Sequence, residues 1–465
     1  MSNNIKFHFF LVSSALMVKL IAIFYTNFDL FGDEAQYWLW AKEIDMGYYS
    51  KPPLLAWSVG IFTFIFGNSF VSIKFIPLIF YIATCFVIYL TTLELYKNKE
   101  LAIFSGLSFF LLPSVTVSSF LLSTDVVLIL FWCLSLLQLI KIRSNPNLIN
   151  FLFLGIFLGF SFLAKYAAIY FVLSLFIIFF FNKKIKNCFF KNFKFFFVFL
   201  ITLIIIFLPN IIWNLNNEWV TLNHTSDNAG LSRSNINLFQ GVEFILIQSL
   251  MIGPVLFFSF VFFIRKMKID FETKFLLIFS LPVFLIVLVE SILVRANANW
   301  AAIGLISIYI LALKQVYTNA KKILKINNYI NYIFCFIFFI LIAQTYPLKV
   351  FDRINGITDF SNLLKKNHIK ENEYLVVSDR LLYSNLKYIY REFKMNIMTP
   401  YKPSDKITSH FHISSPLPEG FNKKFIFIGS PSHVDYLKDN KKIIKIDSID
   451  VLFKNHPVEI YEVLF

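Results

Sequence analysis

Charged residues are scarce in this 465-residue chain. Asp, Glu, Lys and Arg make up 15% of it, whereas a soluble globular chain carries about 25%. Hydrophobic residues account for 57%, and the mean hydropathy is +0.67. A soluble core does not need so many apolar residues in runs of about 20, the length that crosses the hydrocarbon of a bilayer. The composition therefore predicts a polytopic membrane protein.

Cysteine is also scarce. The four cysteines lie within or beside apolar runs, at Cys85, Cys133, Cys188 and Cys335. They show neither the paired spacing of a zinc site nor a disulfide framework.

A small-residue cleavage site is absent after the first apolar stretch, residues 7–24, so we interpret that stretch as a retained helix rather than a signal peptide.

Apolar runs predict about eleven membrane spans. They fall near residues 7–26, 71–93, 101–121, 125–140, 148–164, 167–182, 195–213, 239–264, 273–293, 299–313 and 328–346. The apolar stretch 54–66 is only 13 residues long, which suits an interfacial or re-entrant helix better than a full span.

Basic residues indicate the orientation. The formal net charge is +15, but the lysines and arginines lie in short clusters between apolar runs, which is typical of cytoplasmic loops rather than of a nucleic-acid surface. With the N-terminus inside, sixteen basic residues lie in the inner connections. Six lie in the outer ones, namely Lys42, Lys51, Lys74, Lys165, Arg233 and Arg295.

The composition becomes polar after residue 347. We expect residues 1–347 to form the membrane domain, with a first outer loop at 27–57, and residues 348–465 to form a small extracytoplasmic α/β domain. Runs 374–378 and 424–428 predict strands in it. We find no catalytic motif there and interpret it as a lid or an acceptor-docking platform.

The first outer loop carries two adjacent acids, Asp33 and Glu34. A helix N-terminus explains them as a cap and a charge favoured by the helix dipole, and proton transfer explains them equally well. Lys51 precedes two prolines that stiffen the chain and hold its ammonium group in place. The nearby Tyr37, Tyr48 and Tyr49, with Trp213 and Asn214 of a later loop, are either interfacial anchors or residues of a substrate cavity.

Three more charges are predicted on the outer side. Asp125 is either a helix cap or an outer-face acid, while Lys165 and Arg295 either extend to the interface or bind an anion. His224 is a weak candidate for a metal ligand, since a lone histidine is more often structural. Acids for proton transfer and fixed cations together suit a transferase whose leaving group is a lipid phosphate.

These residues carry a resemblance to a known family. Gly32-Asp33-Glu34-Ala35, followed by Gly47-Tyr48-Tyr49-Ser50-Lys51-Pro52-Pro53, resembles the first periplasmic loop of polyprenyl-phosphate-dependent GT-C glycosyltransferases. The bacterial branch with the lipid A aminoarabinose transferase and the protein O-mannosyltransferase-like enzymes (family 39-like) is the most similar. Later motifs around Asp125, Lys165, 209–214 and 295–300 follow the family's order, so the resemblance covers residues 5–347.

The resemblance implies a role for each charge. Asp33 would act as the base on the acceptor hydroxyl, with Glu34 beside it and Asp125 as a second acid in the same cavity. The donor phosphate would contact Lys51, Lys165 and Arg295. The aminoarabinose transferase has a metal-associated glutamate immediately before the lysine, where this chain has Ser50. We therefore expect no obligatory metal, and a divalent ion stays an option.

The sequence thus predicts an all-α polytopic GT-C protein with a small C-terminal α/β domain. It would be an inverting glycosyltransferase of the bacterial cytoplasmic (inner) membrane with its active site outside. The donor would be a polyprenyl-phosphate sugar and the acceptor lipid A, another glycan or protein, with membrane lipids but no nucleic acid as partners.

Two alternatives stay open. A transporter or flippase of a lipid-linked sugar would show charges deep within its spans and duplicated halves. Lys19 is the main deep charge, and the sequence has no internal repeats. An inactive sensor or scaffold would tolerate the loss of Asp33.

Overall fold

The computed structural model describes residues 3–230, 236–437 and 441–465. The regular elements of the described membrane region are helices joined by loops. Arg233, one of the six outer basic residues, lies outside the described residues. The helices in this region are α1 (Asn3–Tyr25), α2 (Gly32–Trp40), α3 (Leu54–Phe66), α4 (Phe70–Tyr96), α5 (Lys99–Phe110), α6 (Pro113–Ser118), α7 (Thr124–Ser144), α8 (Leu148–Ala164), α9 (Ile169–Phe181), α10 (Lys183–Lys191), α11 (Phe193–Asn216), α12 (Val220–Ala229), α13 (Leu238–Ile252), α14 (Pro254–Phe263), α15 (Phe271–Ile278), α16 (Leu281–Leu293) and α17 (Ala302–Ala343).

The chain divides into two compact units. The helical unit comprises Met1–Phe24, Lys51–Leu55 and Lys74–Leu341. The loop–sheet unit comprises Tyr25–Ser50, Ala56–Ile73 and Ile342–Phe465. Most of the first outer loop therefore belongs to the same unit as the C-terminal residues.

Six helical segments of the described residues are long and apolar enough to cross a bilayer. Two bent helix pairs, α9 with α10 and α13 with α14, raise that number to eight. The predicted polytopic helical fold is confirmed, but the count of eleven spans is not. One reason is Pro113, which begins α6 and so splits the expected span 101–121 into two short helices. Helix α3 has only 13 residues, as expected for a helix too short to span.

Helices α8 and α11 pack closely against each other in the helical unit. A Cβ atom on Gly155 would lie 2.7 Å from the Phe199 carbonyl oxygen, and one on Gly159 would lie 2.9 Å from Ile206 Cβ. Small residues four apart allow two membrane helices to approach this closely. The approach holds the end of α8, just before Lys165, beside the last turns of α11.

A mixed six-stranded sheet forms the centre of the C-terminal region, which confirms the expected small sheet domain. Its strands are β1 (Tyr374–Val377), β2 (Asn396–Pro400), β3 (Pro416–Leu417), β4 (Phe425–Ile428), β5 (Lys442–Ile449) and β6 (Val458–Leu464), in the order β3-β2-β1-β4-β6-β5. The first four strands run parallel to one another, and β6 is antiparallel to β4 and β5. Strand β4 lies between two others and is buried throughout, which explains its apolar run.

Three helices accompany the sheet, and all three contact the first outer loop. They are α18 (Ile357–Asn367), α19 (Arg380–Ile389) and α20 (Phe411–Ser414). The Asp29 carboxylate accepts the backbone N–H of Ile357 at 2.7 Å and also bonds the backbone and hydroxyl of Thr358. Asp29 thereby caps α18, whose own N-cap residue is Gly356 and has no side chain for the task.

An aromatic cluster joins the loop to α20. The Trp40 and Tyr48 rings stack at 4.6 Å between centroids, and the His410 ring lies 5.1 Å from that of Tyr48. His410 Nδ1 is buried and has no hydrogen-bond partner among the described residues. Burial lowers the pKa of His410 to about 4, against a smaller opposing effect of Asp45.

Because His410 is buried and neutral, we expect the folded protein to lose stability in acid. His410 stays neutral in the folded state but takes up a proton near pH 6.5 once unfolded, so its contribution to stability is complete above pH 6.5 and is lost as the pH falls to 4. The expected loss is on the order of 3 kcal/mol. We expect thermal unfolding of the detergent-solubilised chain to show this loss, and His410→Phe to lack it. The exposed His456→Phe is the control, and a variant at 410 with the native pH dependence would contradict the assignment.

Candidate active site

Helix α2 carries the two adjacent acids of the loop–sheet unit. Phe31 is its N-cap residue, so Asp33 is not the cap. Glu34 is buried, and its Oε2 accepts the backbone N–H of Phe31 at 2.9 Å. The helix-terminal interpretation therefore holds for Glu34, and catalytic roles for both acids stay predictions.

Asp33 projects from the first turn of α2 and is half-exposed. Its Oδ1 lies 3.1 Å from Nη1 of Arg380, the first residue of α19. The same nitrogen donates to Gln36 Oε1 at 2.7 Å. The sequence pattern indicated neither Gln36 nor Arg380 as a site residue. Arg380 lies in a region without a recognisable motif.

The loop tyrosines are packed inside the loop–sheet unit. Tyr37, Tyr48 and Tyr49 are all buried. The Tyr48 hydroxyl donates to the Trp40 carbonyl at 2.9 Å and accepts the Asp45 N–H at 3.1 Å, and burial raises its pKa to about 12. These contacts give Tyr48 a structural role, and a role of the three tyrosines in binding substrate stays a prediction.

In the helical unit, Asp125 and Lys165 form an ion pair. Lys165 Nζ lies 2.7 Å from Asp125 Oδ1, and Asn299 Nδ2 donates to Asp125 Oδ2 at 2.6 Å. Ser123 is the N-cap residue of α7, so Asp125 is not its cap. The structure thus brings together an acid and a base that lie 40 residues apart in the sequence.

A cavity of about 440 Å³ lies at the end of α8 and α11. Tyr166, the residue after Lys165, lines it. The Tyr166 hydroxyl donates to Asn210 Oδ1 at 2.8 Å and accepts from Asn214 Nδ2 at 3.0 Å. Asn214 Oδ1 is buried without a hydrogen-bond partner among the described residues. Apolar side chains complete the lining, namely Phe162, Ile169, Phe207, Ile211, Trp219 and Leu222.

A strained turn presents Trp219 to this cavity. Glu218 and Trp219 adopt left-handed backbone conformations, with φ of 55° and 58°. Side chains other than glycine rarely adopt this region, and such strain often accompanies a functional site. Trp213, four residues before the C-cap residue Asn217 of α11, is also buried.

The other predicted site residues are placed differently. Lys51 is half-buried in the turn that precedes α3. Arg295 is exposed between α16 and α17, and the described residues offer it no hydrogen-bond or ion-pair partner. His224 Nε2 lies 2.9 Å from Asn228 Nδ2. Among the described residues no three His, Cys, Asp or Glu side chains are grouped to hold a metal ion.

Comparison with known proteins relates this geometry to a family. Residues 50–213 match the family model described as dolichyl-phosphate-mannose-protein mannosyltransferase. Residues 50–213 therefore carry a domain of this GT-C family.

Two curated relatives share sequence with this chain. It is 30% identical over 321 residues to the lipid A galacturonosyltransferase RgtD of Rhizobium johnstonii, covering 67% of this chain and 66% of that relative. It is 27% identical over 217 residues to the undecaprenyl phosphate-alpha-4-amino-4-deoxy-L-arabinose arabinosyl transferase of Wigglesworthia glossinidia brevipalpis, covering 41% and 38%. The chain thus spans just under two thirds of the first relative and much less of the second.

The fold of the chain matches a solved structure over nearly its whole length. ArnT from Cupriavidus metallidurans in the apo state superposes with a TM-score of 0.68 at 11% identity, covering 99% of this chain and 98% of that one. Its complex with undecaprenyl phosphate gives a TM-score of 0.67 at 12% identity, covering 97% of each chain. At this identity the likeness shows a shared fold.

The matched GT-C segment contains several of the residues described above. Lys51, the Asp125–Lys165 pair and Asn210 all lie within residues 50–213. Asp33 and Arg295 lie outside it. The paired acid and base therefore belong to the part of the chain that the family model covers.

We expect the Asp125–Lys165 pair to stabilise the helical unit. Both side chains are largely buried, and removing one partner leaves an uncompensated charge, so Lys165→Met should lower the free energy of unfolding by about 3 kcal/mol. The double variant Asp125→Leu/Lys165→Met should recover part of this loss. Heating followed by fluorescence-detected size-exclusion chromatography measures both.

Lys97→Met is the matched control, because Lys97 forms an exposed ion pair with Glu94. Exposed pairs contribute little, so this variant should unfold like the native chain. A double variant less stable than Lys165→Met would show that the pair is not the source of the stabilisation.

Proposed function

We propose that this protein is an integral membrane glycosyltransferase that moves a sugar from a polyprenyl-phosphate donor to an acceptor outside the cytoplasmic membrane. The observation that carries the proposal is the family domain at residues 50–213, with the Asp125–Lys165 pair inside it. The names of both curated relatives describe sugar transferases, and one names an undecaprenyl-phosphate sugar. An ArnT fold seen bound to undecaprenyl phosphate supports the same donor class.

The proposed reaction is a single displacement that inverts the anomeric carbon. The acceptor hydroxyl oxygen bonds to that carbon as the bond from the carbon to the phosphate oxygen breaks. The Asp33 carboxylate takes the hydroxyl proton, and the polyprenyl phosphate leaves with the bonding electron pair. A carboxylate in hydrogen-bond reach of the nucleophile typically contributes a factor of about 10²–10⁴ to the rate.

Cations would stabilise the charge that develops on the leaving phosphate. Lys51, Lys165 and Arg295 are the proposed contacts. Lys165 uses one of its three N–H bonds for Asp125, and the other two have no acceptor among the described residues. Arg295 is exposed and presents its guanidinium to solvent. Because these groups can neutralise a monophosphate, the proposed reaction needs no metal ion.

Among the three acceptor classes, the proposal favours lipid A. The relative with 30% identity is named for lipid A, which carries sugar hydroxyls at a membrane surface. The excess of basic residues in the inner connections supports an orientation with the first loop and the C-terminal region outside the cytoplasm. The inner membrane of a bacterium is the proposed location.

Transfer of a radiolabelled sugar tests this function. Membranes containing the chain are given polyprenyl-phosphate sugars and, in separate arms, lipid A, cell-wall glycan or a protein acceptor. We expect Asp33→Asn to lower kcat about 10²–10⁴-fold and Lys51→Ala to lower it about 10²-fold. Asp359→Asn, an exposed acid in the first turn of α18, is the control and should transfer sugar at the native rate.

Each contrary result has a distinct meaning. A native chain that transfers sugar while Asp33→Asn transfers it equally well would contradict the assigned base. A native chain that only moves the lipid-linked sugar across the membrane would identify the flippase alternative. Failure of transfer with every donor and acceptor would contradict the proposed reaction.

A further inference from the structure

The guanidinium of Arg380 joins two side chains of α2. One nitrogen, Nη1, lies 3.1 Å from Asp33 Oδ1 and 2.7 Å from Gln36 Oε1. All three residues belong to the loop–sheet unit. Residues three apart lie on one face of a helix, so a single guanidinium on a neighbouring helix can reach both.

The start of α19 is held in place from its own side. Asp379 is the N-cap residue and accepts the N–H groups of Leu381 and Leu382 at 3.0 and 2.8 Å. Lys454 Nζ donates to the second oxygen of Asp379 at 3.0 Å. Burial would raise the pKa of Asp379, but Lys454 and the two helix N–H groups outweigh it and lower the pKa. Arg380 follows directly and is therefore fixed at its backbone.

Helices α2 and α19 also fix each other in register. A Cβ atom on Gly32 would lie 2.6 Å from Leu381 Cβ, so the Leu381 side chain packs directly on the Gly32 backbone beside Asp33 and Arg380. At the other end the Trp38 and Tyr388 rings contact at 5.0 Å between centroids. The Tyr388 hydroxyl donates to the Asn68 carbonyl at 3.1 Å. Two contacts along one helix pair prevent α19 from sliding past α2.

The ion pair itself contributes little to stability. The Arg380 and Asp33 side chains are 43% and 35% exposed, and ion pairs with this exposure are weak. Packing at Gly32 and Trp38 holds the helices together instead. The effect of Arg380 that remains is on the orientation and charge environment of the Asp33 carboxylate.

We propose that Arg380 is a positioning residue that holds the Asp33 carboxylate and the Gln36 amide in the orientation needed for proton transfer. This inference rests on the proposed function, in which Asp33 is the base. It makes the C-terminal region a contributor to the reaction through α19. The planar guanidinium suits this task because its two Nη1 hydrogens point in fixed directions, whereas a lysine ammonium rotates.

Steady-state transfer of sugar by the full-length chain in membranes tests the proposal. Arg380→Gln should lower kcat about 10–100-fold with the KM values for donor and acceptor unchanged, since a displacement of about 1 Å in a catalytic group costs up to 10²-fold. Arg380→Lys should lie between this variant and the native chain. The swap Gln36→Arg/Arg380→Gln returns a guanidinium from α2 and should restore more activity than Arg380→Gln alone.

Lys445→Gln is the matched control. It removes the cation of another exposed ion pair of the same unit, with Glu459, on the edge strand β5. Native kcat in this variant, with a native melting temperature in Arg380→Gln, would show that the effect arises at Asp33 and not from a loss of folding.

Three outcomes overturn the proposal. The first is a native kcat in Arg380→Gln. The second is a higher KM for the acceptor with kcat unchanged, which would make Arg380 an acceptor-binding residue. The third is a loss of kcat in Arg380→Gln that the swap does not reduce at all. If the native chain transfers sugar normally, these results overturn only the role of Arg380. If the native chain transfers none, the proposed function fails and the positioning role fails with it.

Discussion

Contact between α2 and α19 is the constraint on which the loop–sheet unit depends. At Gly32 there is no room for a Cβ atom, because Leu381 occupies the space where it would stand. A nine-residue helix such as α2 is marginal by itself in water and needs tertiary packing to persist. The direction in which Asp33 projects is therefore decided by a helix that lies almost 350 residues later in the chain.

The buried carboxylates among the described residues follow the same principle in both units, because each has a specific partner. Asp29 caps α18, and Glu34 bonds the backbone at the start of its own helix. In the helical unit Asp125 receives hydrogen bonds from Lys165 and Asn299. Burying a charge without a partner costs several kcal/mol, so these partners are conditions of folding as well as candidates for chemistry.

The arrangement changes how the C-terminal region is understood. From its sequence it is a small α/β domain that serves as a lid or a platform. In the structure it shares one compact unit with the first outer loop, which carries the predicted base. Removing the C-terminal residues would therefore remove α18, which Asp29 caps, together with the packing partner of α2 and the guanidinium beside Asp33.

Composition and periodicity by themselves determined the membrane class, the predominance of helices, the small C-terminal sheet and the residues worth testing. Strands were expected at 374–378 and 424–428 because buried strands are short apolar runs, and they form at Tyr374–Val377 and Phe425–Ile428. The number of spans could not be read in this way. Apolar runs do not reveal where a helix bends, as at Ala320, or ends at a proline, as at Pro113.

Tertiary structure alone decided which candidates meet. The pairing of Asp125 with Lys165 and of Asp33 with Arg380 joins residues 40 and 347 positions apart, and no local pattern encodes such distances. The structure also separated the two adjacent acids, since Glu34 turns back to its helix terminus while Asp33 faces α19. Side chains one residue apart on a helix point about 100° apart, so adjacent acids with the same chemistry take different partners.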